Sequence, residues 1–421
     1  MKNSKRKSKD QLRTASGDKS TESFYRPLHG MRVLDLSNVA GGYCTKLLAD
    51  MGADVIKIEP IGGDDTRRIG PFSGDDPNIE KSLVFTSYNT NKRSLSLNLE
   101  SPDGKSLFKS LIKDADVLVE TYAPGYMDSL KLGYKNLRRL NKQLIMTSIT
   151  PFGQDGPYKD YPGTELTLLA IGGVTFLCGE KDGLPCTAPG FMAYDVAGTY
   201  AAIGIMLCLH NRFFSGQGQY QDVSVQESVA CVADWCGPRY QEDGIFLERT
   251  GSVEEVYWPS GLYKCKDGYI MCFPLTPDQW TALVKWIGGH DELLEPFWML
   301  MANRTQNHDL LRTIFEEFFA KFEKHDLCDK GQAKGIPCTP LNSMFDFIGD
   351  KHEQARDYFH TIRHKIIGAH IAPRAPYLVN GFKISVPRPA PILGQDSVDI
   401  LTKELSLSMD EVIALKGNGS I

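Results

Sequence analysis

The sequence predicts an α/β protein with a doubly wound large domain and a smaller α+β domain. Three observations predict it. Strand-length apolar runs alternate with helical stretches from Gly30 to Ile149, the pattern of a parallel sheet covered by helices. After about residue 245 the pattern changes to a hairpin followed by helices. A chain of 421 residues, 42% of them hydrophobic, exceeds one core of ordinary size.

The elements follow in order. Gly30 to Ser37 reads as a buried strand, Tyr43 to Met51 as a helix and Ala53 to Glu59 as a second strand. Helix is expected over Ser101 to Asp114, strand over Ala115 to Glu120, helix over Gly133 to Leu140 and strand over Gln143 to Ile149. Such repetition implies a doubly wound layer. Asn38 to Gly42, after the first strand, reads as a Gly-rich turn whose amides approach a phosphate or carbonyl, or as a plain tight turn. It lacks GxGxxG, so NAD is discounted.

A helical stretch runs to about Ala233. The Asp267-Gly268 pair marks a hairpin turn, and helices are expected over Asp278 to Ile287 and Asp309 to Lys324. The domain reading is a disordered basic tail over 1–25, the large domain over 26–245 and the small domain over 246–345. Residues 346–421 contain a β-rich stretch from Ile371 to Pro389 and a final helix over Met409 to Lys416.

Several function classes are excluded by composition. A net charge of -5 gives no basic field for nucleic acid. The basic tail has no apolar core, which argues against a secretory signal, and no run of about 18 apolar residues is found, so no membrane span is expected. Ten cysteines without a CxxC pair, several in apolar runs, read as reduced thiols in a cytoplasmic protein. Nine histidines without HExxH spacing predict no metal site.

The best nucleophile candidate is Asp195, a lone carboxylate in the small-residue stretch Pro189 to Ile205. Helix N-terminal amides there can hold an anion facing a cleft. The alternative is a helix N-cap.

Taken together, the motifs resemble the class III CoA-transferase family, which includes formyl-CoA, carnitine-CoA and aromatic-succinate CoA-transferases. The stretches that carry the resemblance are Leu28 to Leu36, Leu48 to Glu59, Asn89 to Asn98, Ala115 to Glu120 and Thr150 to Pro157. Asp195 with Gly198, Ser215 to Gln219, Asp267-Gly268, Gly335 to Cys338 and Ala390 to Gly394 complete them. They span about residue 26 to the C-terminus.

The resemblance implies a Rossmann-like large domain, a small α+β domain and a return of residues 346–421 to the large domain, with two ring-shaped chains interlocked as a dimer. It implies Asp195 as the nucleophile, attacking an acyl-CoA thioester to give a mixed anhydride and then an aspartyl-CoA thioester. Glu165 would support the reacting centre, unless it is only a helix-entry carboxylate. Backbone of Val39, Ala40 and Gly41 would meet the thioester or pantetheine. Leu97, Asn98 and Leu99 would line the adenine side, with Tyr122 and Ala123 near the pantetheine and phosphates. Coenzyme A is then a substrate, and no permanently bound cofactor is expected.

Three departures from the family pattern matter. Pro60 replaces a frequent basic residue, so Arg67, Arg68 or Lys131 would supply charge for the 3′-phosphate. Lys92 and Arg93 read either as further CoA contacts or as a solvated turn. Thr250 to Gly261 lacks the glycine run of formyl-CoA enzymes, and Tyr257 and Trp258 there suggest a roomier aromatic acceptor pocket or hairpin core. Thr164-Glu165 stands where related racemases place His-Asp, which counts against racemisation.

The resulting expectation is transfer of CoA from a succinyl-CoA-like donor to a carboxylic acid acceptor, aromatic succinates included, by a homodimer or a heteromer with a homologous chain. A non-catalytic subunit of a heteromeric transferase is the alternative, and a racemase a weaker one.

Overall fold

The computed structural model describes residues 26–251, 258–379 and 388–421. The expected basic tail and Tyr257 lie outside them.

Six parallel strands form the central sheet: β1 (Arg32–Leu36), β2 (Asp54–Glu59), β3 (Arg93–Ser96), β4 (Val117–Glu120), β5 (Ile145–Thr150) and β6 (Tyr220–Ser224). Their order is β3-β2-β1-β4-β5-β6, the Rossmann order with its switch point between β1 and β4. Leu34 of β1 pairs with Ile56 of β2 and Leu118 of β4. Helices connect the strands: α1 (Val39–Asp50), α2 (Leu83–Tyr88), α3 (Pro102–Ile112), the single turns α4 (Tyr126–Ser129) and α5 (Tyr134–Leu137), then α6 (Glu165–Ile171), α7 (Val174–Leu177) and α8 (Met192–Ser215).

Because helices cover both faces, the central strands are buried along most of their length and rich in apolar residues, with buried polar groups such as Asp35 and Lys57 among them. Val33, Val55, Val117 and Ile145 face one core with Cys44 and Leu48 of α1 and Ala197 and Ala201 of α8. Leu34, Ile56, Leu95 and Leu118 face the other with Phe108 of α3 and Ile400 and Leu401. The chain end lies along β3: Ser94 N donates to Asp396 Oδ2 at 2.8 Å, and Asn98 N donates to the Ser420 carbonyl at 2.9 Å.

The second layer of structure is a three-stranded antiparallel sheet, β7 (Gly261–Cys265), β8 (Gly268–Cys272) and β9 (Cys338–Pro340). Its core holds Trp258, Trp280, Phe315 and Phe319. A two-stranded ribbon, β10 (Phe359–His364) and β11 (Gly368–Pro373), follows.

Three expectations change. The first helix begins at Val39, not Tyr43, because Asn38 caps it by accepting from Ala40 N at 3.0 Å; the supposed turn is the helix's first turn. The helix expected over Asp309 to Lys324 ends at Phe319 and a new one starts at Lys324. The β-rich stretch expected from Ile371 contains only the end of β11 before residues 380–387, which lie outside the described part. Among the described residues α8 is the one helix long and apolar enough to cross a membrane by length and composition alone, with mean hydropathy 1.5 over 18 residues and a third of that window buried. Small residues on one face pack it on α1, while Ile203, Leu207 and Phe213 of the other face are exposed.

Candidate functional site

α8 reaches the carboxyl ends of the strands because it packs closely on α1. A Cβ at Gly198 would stand 2.9 Å from Cys44 N and 3.2 Å from Tyr43 Cβ, so only glycine permits the approach. One turn earlier, in the first turn of α8, lies Asp195. It is not the N-cap, which is Phe191.

The Asp195 carboxylate is half-buried and accepts from the Tyr88 hydroxyl at 2.7 Å. Burial raises its carboxyl above the ordinary range, and the Tyr88 hydrogen bond opposes that rise. The Tyr88 phenol is itself raised by burial and by the charge of Asp195, so it remains a donor. Its ring meets those of Tyr43 and Phe191 edge to face, each with centroids 6.2 Å apart. Gly42 makes room for it, since a Cβ there would lie 3.3 Å from Tyr88 Cβ.

Glu165 occupies the position expected of an anion at the α8 N-terminus. Its carboxylate accepts from Ala193 N at 2.7 Å and Tyr194 N at 3.2 Å, satisfying helix amides that have no internal partner. Those amides are therefore engaged, and they do not present themselves to an incoming anion. Burial raises the Glu165 carboxyl, these two hydrogen bonds lower it and Asp195 raises it. Thr164 N-caps α6, its amide donating to Thr167 Oγ1 at 2.8 Å.

Val39, Ala40 and Gly41 form the first turn of α1 at the switch point. Gly41 sits where a Cβ would lie 2.6 Å from Ser37 Cβ and 2.9 Å from Thr121 Cγ2, which clamps the ends of β1 and β4 together. Ala40 N donates to Asn38 Oδ1 and Gly41 N to the Asn38 carbonyl. Beneath the turn, fully buried Asp35 accepts from Ser37 Oγ at 2.6 Å, Thr45 Oγ1 at 2.7 Å and Lys92 Nζ at 2.9 Å. Burial raises the Asp35 carboxyl, but Lys57, Lys92 and the hydrogen bonds outweigh it and hold the group ionised.

Leu97, Asn98, Leu99 and Tyr122 come together in a cleft of about 430 Å³ with Pro60, Ile61 and Tyr126. Ala123 opens instead on a neighbouring cleft with Glu120, Ser148 and Tyr220.

The basic residues are placed differently from expectation. Arg67 is fully buried: its Nε donates to Glu59 Oε2 at 2.6 Å, its Nη2 to Glu59 Oε1 at 2.9 Å and its Nη1 to Glu80 Oε2 at 2.8 Å. Lys92 belongs to the Asp35 network and is no solvated turn. Arg93 pairs with Asp54 and Glu404. Arg68 and Lys131 are the exposed candidates that remain. Trp258 is a core residue, 2% exposed, clustered with Trp280, Phe315 and Phe319. Tyr88 was missed in the sequence; it immediately precedes the Asn89 to Asn98 motif, and nothing in the spacing links it to Asp195.

The model of CoA-transferase family III matches residues 28–397. The chain belongs to that family. It is 33% identical over 88% of its length to a subunit of the succinyl-CoA:(R)-benzylsuccinate CoA-transferase of Thauera aromatica, covering 93% of that relative. It is also 33% identical to the beta subunit of the succinyl-CoA–L-malate CoA-transferase of Chloroflexus aurantiacus, covering 93% of this chain and 97% of that one. The crystal structure of a CaiB/BaiF family protein from Brucella suis superposes with a TM-score of 0.79 at 27% identity, covering 90% of this chain and 99% of the other. This family III protein is therefore a CoA-transferase with the family's α/β fold, and CoA thioesters are the family's substrates.

Proposed function

We propose that the chain moves CoA from a succinyl-CoA-like donor to a carboxylic acid acceptor through Asp195. The observation that carries this reading is the half-buried Asp195 carboxylate held at one oxygen by Tyr88.

With Oδ1 engaged, Oδ2 is the nucleophile. It attacks the donor thioester carbonyl, expelling CoA thiolate and forming a mixed anhydride. The thiolate then attacks the aspartyl carbonyl, releasing the donor carboxylate and leaving an aspartyl-CoA thioester. The acceptor carboxylate attacks that thioester and expels thiolate, which attacks the acceptor carbonyl of the new anhydride and frees Asp195. Each step exchanges one acyl bond for another, so no ATP is consumed. Partial desolvation raises the reactivity of the carboxylate, and donors fixed in advance stabilise the oxyanions.

CoA is assigned to the cleft of Leu97, Asn98, Leu99 and Tyr122, with Ala123 and the α1 first turn of Val39, Ala40 and Gly41 directing pantetheine towards Asp195. Since the amides of Ala40 and Gly41 are engaged within the turn, that turn acts by shape and by its helix N-terminal charge. Glu165 is a positioning residue: it anchors the first turn of α8, which carries Asp195.

Both named relatives are subunits, which supports a partner chain, either a second copy or a homologue, in an interlocked dimer. The name of the Thauera aromatica relative supports an aromatic succinate as one acceptor to try. A silent subunit has no chemical use for the Tyr88–Asp195 pair, and Thr164, engaged as a cap, supplies no racemase base.

The test is mass spectrometry after incubation with a panel of acyl-CoAs, succinyl-CoA included, followed by hydroxylamine. A hydroxamate on Asp195, absent from Asp195→Ala, supports the covalent route and identifies the donor. No Asp195 adduct with any donor, alone or with a homologous chain, overturns it.

A further inference from the structure

The helix that carries Tyr88, α2, has six residues, too few to hold its place by its own hydrogen bonds, so the rest of the fold must anchor its ends. Its start is anchored at Ser82, whose Oγ donates to the Ile69 carbonyl at 2.6 Å. Its end is anchored one residue beyond Tyr88, at buried Asn89.

Asn89 works in two directions. Its Nδ2 donates to the Phe85 carbonyl at 2.9 Å, back along α2, and its Oδ1 accepts from Lys92 Nζ at 2.9 Å. A reversed amide would set its NH2 group against the ammonium and its oxygen against a carbonyl, which fixes the orientation. The same buried Nζ donates to Thr45 Oγ1 of α1 at 2.7 Å and to Asp35 Oδ2 of β1 at 2.9 Å, with the Gly42 carbonyl at 3.3 Å. An ammonium has three donors, and these are divided among β1, α1 and the end of α2. Gly42 is also the residue against which Tyr88 packs. A continuous chain of contacts therefore runs from Asp35 through Lys92 and Asn89 to Tyr88 and ends on Asp195.

We propose that Lys92 and Asn89 are positioning residues of the reaction: by fastening the end of α2 to β1 and α1, they hold the Tyr88 hydroxyl at Asp195 Oδ1. This rests on Asp195 being the nucleophile. Both residues act through Tyr88.

Burial and the Tyr88 hydrogen bond set the Asp195 carboxyl, and Tyr43 of α1 and Glu165 of α6 are the other titratable groups that feel its charge. Asn89→Leu alters none of these groups and keeps nearly the same side-chain volume, so its effect on the ionisation of Asp195 has to pass through Tyr88.

The experiment gives the full chain succinyl-CoA and labelled succinate and follows exchange of the label into the thioester, which uses only the donor half of the reaction and needs no acceptor. The readout is the acid limb of the exchange rate against pH, whose position does not depend on how much of a preparation is active. Tyr88→Phe, Asn89→Leu and Lys92→Met are each expected to move that limb upward by about one pH unit, the loss of one charge-assisted hydrogen bond. Asn89→Leu is expected to add nothing to Tyr88→Phe in the double variant, because the two act on one bond. Should Lys92→Met fail to fold, Asn89→Leu, which leaves the Lys92–Asp35 pair in place, carries the test. A limb that stays in place in Asn89→Leu, or shifts that add in the double variant, overturns the positioning role and leaves Asp195 as the nucleophile. No exchange in the wild type together with no Asp195 hydroxamate removes the nucleophile and the positioning role with it.

Discussion

The Tyr88 hydroxyl donates to Asp195 Oδ1 at 2.7 Å, joining the end of α2 to the first turn of α8. The bond does two things: it fixes which carboxylate oxygen is free, and it opposes the rise in pKa caused by burial.

Tyr88→Phe removes both effects. A hydrogen bond to a charged group contributes roughly 1.5–3 kcal/mol, so kcat is expected to fall about 10- to 100-fold. The sign of the pH effect follows from the causes. Burial raises the carboxyl and Tyr88 lowers it, so without Tyr88 the folded-state pKa rises further, and the ionised nucleophile appears only at higher pH. The acid limb of the kcat/KM profile should move upward. An unmoved limb would mean that Tyr88 serves packing alone.

Gly198→Ala tests how Asp195 is placed. The added methyl would stand 2.9 Å from Cys44 N, a backbone atom that cannot swing away. Separating α8 from α1 should cost about 1–3 kcal/mol, read as a lower denaturation midpoint, and should reduce Asp195 trapping in the surviving folded protein. Full stability and activity would show that the interface yields freely.

What could be read from the sequence follows burial and distance. β1, β2, β4 and β5 are rich in buried apolar residues because both faces are covered, and their patterns were legible despite Asp35 in β1 and Lys57 in β2. β3 and β6 are edge strands of four and five residues, and β6 exposes Tyr220 and Asp222, so neither has a clear period. Asp195 was legible through family motifs, but the Tyr88–Asp195 bond joins residues 107 apart, which spacing does not report. Charge misled for the same reason. Arg67 and Lys92 resemble free cations in the sequence, whereas burial commits them to Glu59 and Asp35.

Glu120 gives a stability effect with a defined pH window. Burial raises its carboxyl from 4.5 to about 7, against hydrogen bonds from Ser148 and from Tyr122 N, the latter at 2.7 Å. Between those values the folded protein binds a proton that the unfolded chain has lost. Stability should therefore fall as pH rises from about 4.5 to about 7, by on the order of 3 kcal/mol in all. Glu120→Gln should flatten this part of the profile, measured as denaturant midpoints at several pH values. A slope that survives the substitution would assign it to another group.

Arg67 distinguishes a structural cation from a phosphate ligand. Its three nitrogens engage Glu59, Glu80 and the Pro391 carbonyl, and its guanidinium lies 3.7 Å from the centroid of the Phe85 ring. Arg67→Ala strands Glu59 in a site with 0% exposure and should cost about 3–5 kcal/mol, seen in the denaturation midpoint. Arg67→Lys keeps the charge but loses the fork, and so should be destabilised less. Because the guanidinium is fully committed, KM values for acyl-CoA and its 3′-dephospho analogue should change in parallel in Arg67→Lys. If KM rises for acyl-CoA alone, Arg67 reaches the 3′-phosphate after all, and its pairing with Glu59 must open when CoA binds.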